Sequence, residues 1–297
     1  MDITFKRPAL EDRDTILKHL AERKLHGCER TFANVYLWAR FYNEGWAEIE
    51  GTAVFRTGQE GAYSYTYPIG AGDRKKVVEM LMEDAKEKGY PFQLHAVSKG
   101  EMEELESYFP GKFNVEWPRD LEDYVYETEK LINLSGKKYH GKKNHLNQFK
   151  AAYPDWKYET ITDENVEECF QMALSWRNHN GCEDDPEKNQ EMCVALNSLR
   201  LFKELHLKGG LLRVNGKVVA YTLGEPVSDD TFVVHIEKAY ADIKGAYTMI
   251  NQQFLEHEVK DYTYVNREED TGDEGLRTAK LSYRPVFMVE KGIVTLK

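Results

Sequence analysis

The sequence is short of cysteine, of long apolar runs and of net positive charge, and each shortage excludes something. Its four cysteines, Cys28, Cys169, Cys182 and Cys193, form no CxxC pair and show no metal-like spacing with histidine. They read as free thiols in a reducing compartment, and no metal site is expected. No stretch approaches the roughly 18 consecutive apolar residues that would read as a membrane span. The opening MDITFKRPALEDRD lacks the apolar core of a secretory leader. A cytoplasmic location is expected, with no integral membrane segment; a peripheral membrane contact stays open but has no support in the sequence. The net charge of -11 argues against broad, non-specific nucleic-acid binding, which depends on neutralising phosphates. It leaves room for a local basic site.

What is present is enough for a substantial core. The chain has 297 residues, 41% of them hydrophobic, which is one large domain or two ordinary ones. Helical spacing is expected over residues 9–25, with Ile16, Leu17 and Leu20 on one face. The segment ERTFANVYLWARFY (29–42) is dense in aromatics that suit a core. Its polar members need partners if buried, so Glu29, Asn34 and Trp38 are candidates to line a pocket. Residues 46–128 then read as strands, helix, strand, helix, strand. The second half repeats the order, with no residue-level repeat. GGLLRVNGKVVAYTLGEPV is a hairpin turning at Asn215-Gly216. YTYVNRE is a strand, DEGLRTAKLSY a short helix and PVFMVEKGIVTL a last strand. The expected class is α/β (α+β), with mixed sheets flanked by helices in two domains, 1–130 and 131–297, and a basic linking helix opening the second.

Three stretches concentrate chemistry. From Lys130 to Lys150 there are six lysines (Lys130, Lys137, Lys138, Lys142, Lys143, Lys150), two histidines and no acid. On a helix, Tyr139, Leu146, Phe149 and Tyr153 face inward and Lys138, Lys142 and His145 form a stripe. That stripe is either an ordinary solvated face or an anion site. The second stretch, TFVVHIEKAYADIKGAYTMINQQFLE, is a strand leading through Gly245 into a helix. His235 and Glu237 share one face of the strand, and the free N–H groups at the helix start favour an anion. The third, residues 265–285, alternates sign through Arg267, Glu268, Asp270, Arg277 and Lys280 around two glycines, as a substrate loop or an internal ion network.

A hairpin, a strand, a glycine turn into a helix and another strand is the order of the GNAT-type acyltransferase fold. More closely, LSGKKYHGKKNHLNQF (134–149), HIEKA (235–239), GAYTMINQQF (245–254) and NREEDTGDEGLRTAKLSYRP (266–285) resemble the family containing the C-terminal domain of phosphatidylglycerol lysyltransferases. The resemblance covers the chain from about Glu29 onward. It implies two GNAT-type domains in tandem, similar in architecture to the Fem peptidyltransferases, and transfer of an amino acid from aminoacyl-tRNA to an amine or hydroxyl. The lysyltransferases also carry a large membrane-embedded part that is missing here, which argues against a lipid acceptor. At the positions of the coenzyme A-binding turn stand Asp242, Gly245 and Tyr247; the acid and the bulky ring disfavour a pyrophosphate.

The charges and placement of the singled-out residues suggest roles in such a transfer. Lys138, Lys142, Lys143 and Gly245 would line the donor's phosphates, with Arg277 and Lys280 neutralising phosphate or carboxylate. Glu237, beside His235, would be the base or amine-binding group. Arg267, Glu268 and Asp270 would hold the acceptor or the donor's amino group, with Asn251 and Trp38 as further substrate contacts. No bound cofactor is expected; aminoacyl-tRNA or acyl-CoA would be a co-substrate and a small-molecule or peptide amine the acceptor. The alternatives are an acyl-CoA-dependent N-acyltransferase and a non-catalytic scaffold that binds a metabolite or protein.

Overall fold

The computed structural model describes residues 3–297. In chain order the regular elements begin with α1 (Arg13–Leu20), α2 (Phe32–Trp38), β1 (Gly45–Ile49), β2 (Thr52–Gln59), β3 (Ala62–Thr66) and β4 (Ile69–Gly70). They continue with α3 (Arg74–Lys88), β5 (Gln93–Val97), α4 (Lys99–Tyr108) and β6 (Phe113–Glu116). Next come β7 (Asp123–Glu127), α5 (Thr128–Asn133), α6 (His140–Ala152), β8 (Lys157–Thr160), α7 (Val166–His179) and α8 (Pro186–Arg200). The remainder is β9 (Lys208–Val214), β10 (Lys217–Pro226), β11 (Thr231–Ala239), α9 (Ala246–Phe254), β12 (Tyr264–Asn266), α10 (Glu274–Leu281), β13 (Phe287–Val289) and β14 (Gly292–Leu296).

Local chemistry sets many of the ends. Asp73 caps α3 by accepting from the Lys76 N–H, and Gly89 closes it in the left-handed conformation. Ser98 and Glu101 form a reciprocal capping box on α4. Asp185 and Pro186 open α8. The hairpin between β9 and β10 turns at Asn215 (φ 49°) and Gly216 (φ 75°), the conformation that a two-residue turn needs to match strand twist.

The chain forms two compact units. The first takes in the chain to Asp123, then Glu269–Glu274 and Met288–Lys297; the second is Tyr124–Glu268 with Gly275–Phe287. Each has a mixed sheet flanked by helices, the class and GNAT-type order expected. The first sheet runs β1-β2-β3-β5-β14-β6, with β4 on β2, and the second runs β13-β7-β12-β11-β10-β9-β8. In both, an antiparallel set leads into a parallel crossover: β3 to β5 through α3, and β11 to β12 through α9. The second position of exchange is the same in each. β14, the end of the chain, lies between β5 and β6, while β7, the end of the first half, lies between β12 and β13.

Two expectations are corrected here. PVFMVEKGIVTL is not one strand: it breaks into β13 and β14, which join different sheets. Nor do the units divide the chain once, at residue 130; residues from Tyr124 belong to the second, and the last strand returns to the first. The reason is burial. Val294 is fully inaccessible within the first core, beside Leu94, Val97 and Phe113, and an apolar strand gains most where both its edges are paired.

Candidate functional site

The strands β11 and β12 pair in parallel only from Thr231↔Tyr264 to Val233↔Asn266. Beyond that they part, and side chains bridge the gap. His235 is the additional residue at a bulge, because β10 pairs Leu223 with Ile236 and Gly224 with Val234. Its Nδ1 lies 2.7 Å from Glu268 Oε1 and its Nε2 lies 3.1 Å from Glu225 Oε1. Burial alone would lower the imidazole pKa, but the hydrogen bonds to Glu225 and Glu268 outweigh it and hold it up at about 10. His235 is therefore an imidazolium at neutral pH, with both ring nitrogens occupied.

Two residues along the same face, Glu237 is also held on both sides. Arg267 Nη2 donates to its Oε1 at 2.9 Å and Asn251 Nδ2, from α9, donates to its Oε2 at 3.1 Å. The Arg267 guanidinium lies 4.9 Å from the centroid of the Tyr283 ring. The Tyr283 hydroxyl faces Thr248 Oγ1 at 3.4 Å. Lys142 Nζ lies 3.8 Å from the same ring's centroid. Burial and the like charge of Arg267 bring the Lys142 amine down to about 8, against the attraction of Glu237. Arg267 Nη1 is buried without a hydrogen-bond partner among the described residues. Two cations, one carboxylate, an amide and a phenol thus converge from α6, β11, α9 and the segments that follow β12 and α10.

Lys142 comes from the basic helix. On α6 and the turn before it, Tyr139, Leu146 and Phe149 are buried, as the pattern predicts. Lys137, Lys138, His140, Lys143, His145 and Lys150 are exposed, and Lys142 alone of these lysines is half-buried. Gly245 takes φ 85°, and a Cβ there would stand 2.4 Å from the His145 carbonyl oxygen. Glycine is required because the basic helix closes on the turn that starts α9.

Other expected residues lie elsewhere. Lys280 Nζ donates to the carbonyls of Arg267 (2.7 Å) and Glu268 (3.1 Å), fastening the end of β12. Arg277 is partly exposed on α10. Asp270 belongs to the first unit, fully buried, where it accepts from the Gly272 N–H at 3.0 Å and faces Arg119 Nη1 at 3.7 Å. Trp38 is also in the first unit, stacked on Tyr42 at 5.5 Å. The expected set is therefore only partly assembled: His235 with Glu268, Glu237 with Arg267 and Asn251, and Lys142 beside them.

Sequence reasoning missed Glu225, Tyr283 and Trp176. Glu225 was visible as a lone acid in an otherwise apolar strand. Trp176, on α7, donates from Nε1 to the Ala239 carbonyl at 3.0 Å and stacks under Lys238 Nζ at 4.3 Å, while Glu191 of α8 pairs with that same ammonium. Residues 154–207 gave no element in the sequence reading, so neither was accessible to it.

The first unit holds its own ionic centre. Cys28, Asp123 and Glu269 offer ligand atoms within 4.8 Å of one another. A cation already sits among them: Lys291 Nζ is 2.6 Å from Asp123 Oδ1, 3.2 Å from Glu29 Oε2, 3.4 Å from Glu269 Oε2 and 3.4 Å from Cys28 Sγ.

Two sheets, each with a β–α–β crossover, and a polar group set where the crossover strands part define the class as a tandem GNAT-type α/β protein. The family described as phosphatidylglycerol lysyltransferase, C-terminal, matches residues 20–294, and the chain belongs to it. Over the full length of both chains it is 39% identical to a conserved protein of unknown function from Bacteroides thetaiotaomicron, with a TM-score of 0.94. It shares its fold with what is described as the C-terminal domain of a lysylphosphatidylglycerol synthetase from Agrobacterium fabrum (13% identity, 96% of this chain and 90% of that one, TM-score 0.69). The same holds for L-PGS from Bacillus licheniformis (15% identity, 98% and 92%, TM-score 0.67). An uncharacterized protein of Mycoplasmoides gallisepticum is 26% identical over 175 residues, 58% of this chain; the match spans 55% of that relative's length. Among the described residues no helix is long and apolar enough to cross a membrane.

Proposed function

We propose that this protein is an acyltransferase that moves an aminoacyl group from aminoacyl-tRNA to an amine or hydroxyl acceptor, at the second unit's site. The observation that carries the reading is the acid-free basic face of α6, exposed outside and continuous with Lys142 inside. A polyanion bound along Lys137, Lys138 and Lys143 puts its activated ester near Arg267, Glu237 and Asn251. The donor ester needs no covalent catalysis. It needs an acceptor held at the carbonyl, a route for one proton and cations facing the developing oxyanion. Arg267 supplies positive charge, and Glu237, fixed by Arg267 and Asn251, is a binding group for the ammonium of the aminoacyl moiety.

Family membership and the shared fold with lysylphosphatidylglycerol synthetase domains support this reading. Coenzyme A is a weaker donor because the turn at Gly245 is packed against the His145 carbonyl and Asp242 stands in it. The test offers the purified protein a panel of charged tRNAs and acyl-CoAs with hydroxylamine as a generic acceptor. Only hydroxamate formed faster than in the protein-free control counts, and such an increase with a charged tRNA supports the proposal. Hydroxamate formed only from an acyl-CoA, or from neither donor, overturns it.

A further inference from the structure

The reaction proposed above needs a proton acceptor, and the two residues that the sequence offers for it are both occupied. His235 has a carboxylate on each ring nitrogen. Glu237 has Arg267 on one oxygen and Asn251 on the other. Lys142 differs from both. It is the lysine of the basic helix that turns inward, and its Nζ makes no ion pair or hydrogen bond among the described residues. It rests over the ring of Tyr283, which also carries the Arg267 guanidinium 4.9 Å from its centroid.

We propose that Lys142 Nζ is the proton acceptor of the transfer reaction; this rests on the proposed function. The acceptor amine attacks the ester carbonyl, so an N–C bond forms and the C–O bond to the donor's ribose breaks. The proton lost by the attacking nitrogen passes to the neutral Nζ. The resulting ammonium returns it to the departing ribose oxygen, and Lys142 is restored. No outside acid, base or oxidant is consumed.

The surroundings suit a neutral amine near pH 8. Arg267 faces Lys142 from the segment after β12, and its charge disfavours a second cation. Tyr283 offers a ring face, and α9 contributes Thr248 and Asn251, which carry no charge. Glu237 is the one carboxylate acting on Nζ, and it is committed to Arg267. Burial and Arg267 together bring the amine to about 8, where roughly a tenth of it is free base at pH 7 and half at pH 8. An exposed lysine, near 10.4, has almost none.

Two measurements decide the role. The first needs no donor: acetylation of the intact protein by p-nitrophenyl acetate from pH 6 to 11, read peptide by peptide by mass spectrometry. Lys142 is expected to reach half its maximal rate near pH 8, well below the value near 10.4 of a lysine in a model peptide acetylated alongside as the control. Titration of Lys142 together with that control overturns the proposal.

The second uses whichever charged tRNA the wild type turns over. Lys142→Arg keeps the charge but cannot accept a proton; Lys142→Met keeps the stem and loses both. Each is expected to lose about 10²-fold or more in kcat/KM and to lose the rise between pH 7 and 8. Added ethylamine is expected to restore part of the rate in Lys142→Ala. If Lys142→Arg retains rate and pH profile, Lys142 is an anion contact and not the base. A wild type inert towards every charged tRNA removes the transfer function itself, a different failure that the acetylation profile keeps separate.

Discussion

His235 Nδ1 and Glu268 Oε1 stand 2.7 Å apart across the place where β11 and β12 cease to pair. Backbone hydrogen bonds hold the strands up to Val233 and Asn266, and an ion pair holds them after that. Because Glu225 takes the other ring nitrogen, removing the imidazolium leaves the buried Glu225 carboxylate and the half-buried Glu268 carboxylate without the cation between them. His235→Gln should cost about 3 kcal/mol, the scale for breaking a buried pair. The sign with pH follows from the raised imidazole. Its contribution is complete below the unfolded value near 6.5 and is lost as pH climbs through about 10. Denaturant titrations at pH 6, 8 and 10 should show the wild type losing this increment and His235→Gln showing less of the slope.

Lys291 lies among Asp123, Glu29 and Glu269 in the first unit, where Glu29 also faces Arg30. Burial, with the nearby carboxylates Glu269 and Glu29, raises the Asp123 carboxyl to about 7 even against the ammonium. Lys291→Met should destabilise the protein by about 3–5 kcal/mol at pH 8. The deficit should shrink as pH falls towards 5, because protonation relieves carboxylates that have lost their counter-ion. Melting curves across that range measure both the size and the sign.

Gly245 is where the basic helix and the site-bearing helix meet. Alanine there must take φ 85° and bring a Cβ to 2.4 Å from a backbone oxygen. Gly245→Ala is expected to lower stability by about 2 kcal/mol or more, and thermal melts would show it. Gly216 also has a positive φ, 75°, but nothing lies within 4 Å of a Cβ there. Gly216→Ala should therefore cost less, and the difference between the two variants isolates the helix contact.

Much of this was legible in the sequence. The alternation in Thr231 to Glu237 placed His235 and Glu237 on one face. The helical period in residues 139–153 assigned Tyr139, Leu146 and Phe149 inward. Asn215-Gly216 located the hairpin. What escaped was non-local. No local pattern says that Gly292–Leu296 pairs between β5 and β6, because the signal for a paired strand is the same in either sheet. Asp270 sits two residues from Glu268, yet a turn anchored by its own carboxylate carries it into the other unit. Glycine 245 looked like an anion-binding turn, and its conformation is as expected, but the requirement comes from a helix 100 residues earlier in the chain. Lys142 could not be told from its neighbours until Tyr283 was placed beside it.

The most direct test of the central claim is the salt dependence of aminoacyl-tRNA binding. Affinity should fall with rising salt, with a slope of about 0.7–0.9 in the logarithm for each phosphate neutralised. In Lys137/Lys138/Lys143→Ala, exposed side chains whose loss leaves the core of α6 untouched, the slope should drop by about 2 to 3. An unchanged slope and affinity in the triple variant would contradict the account, because the donor would then lie away from these three exposed lysines.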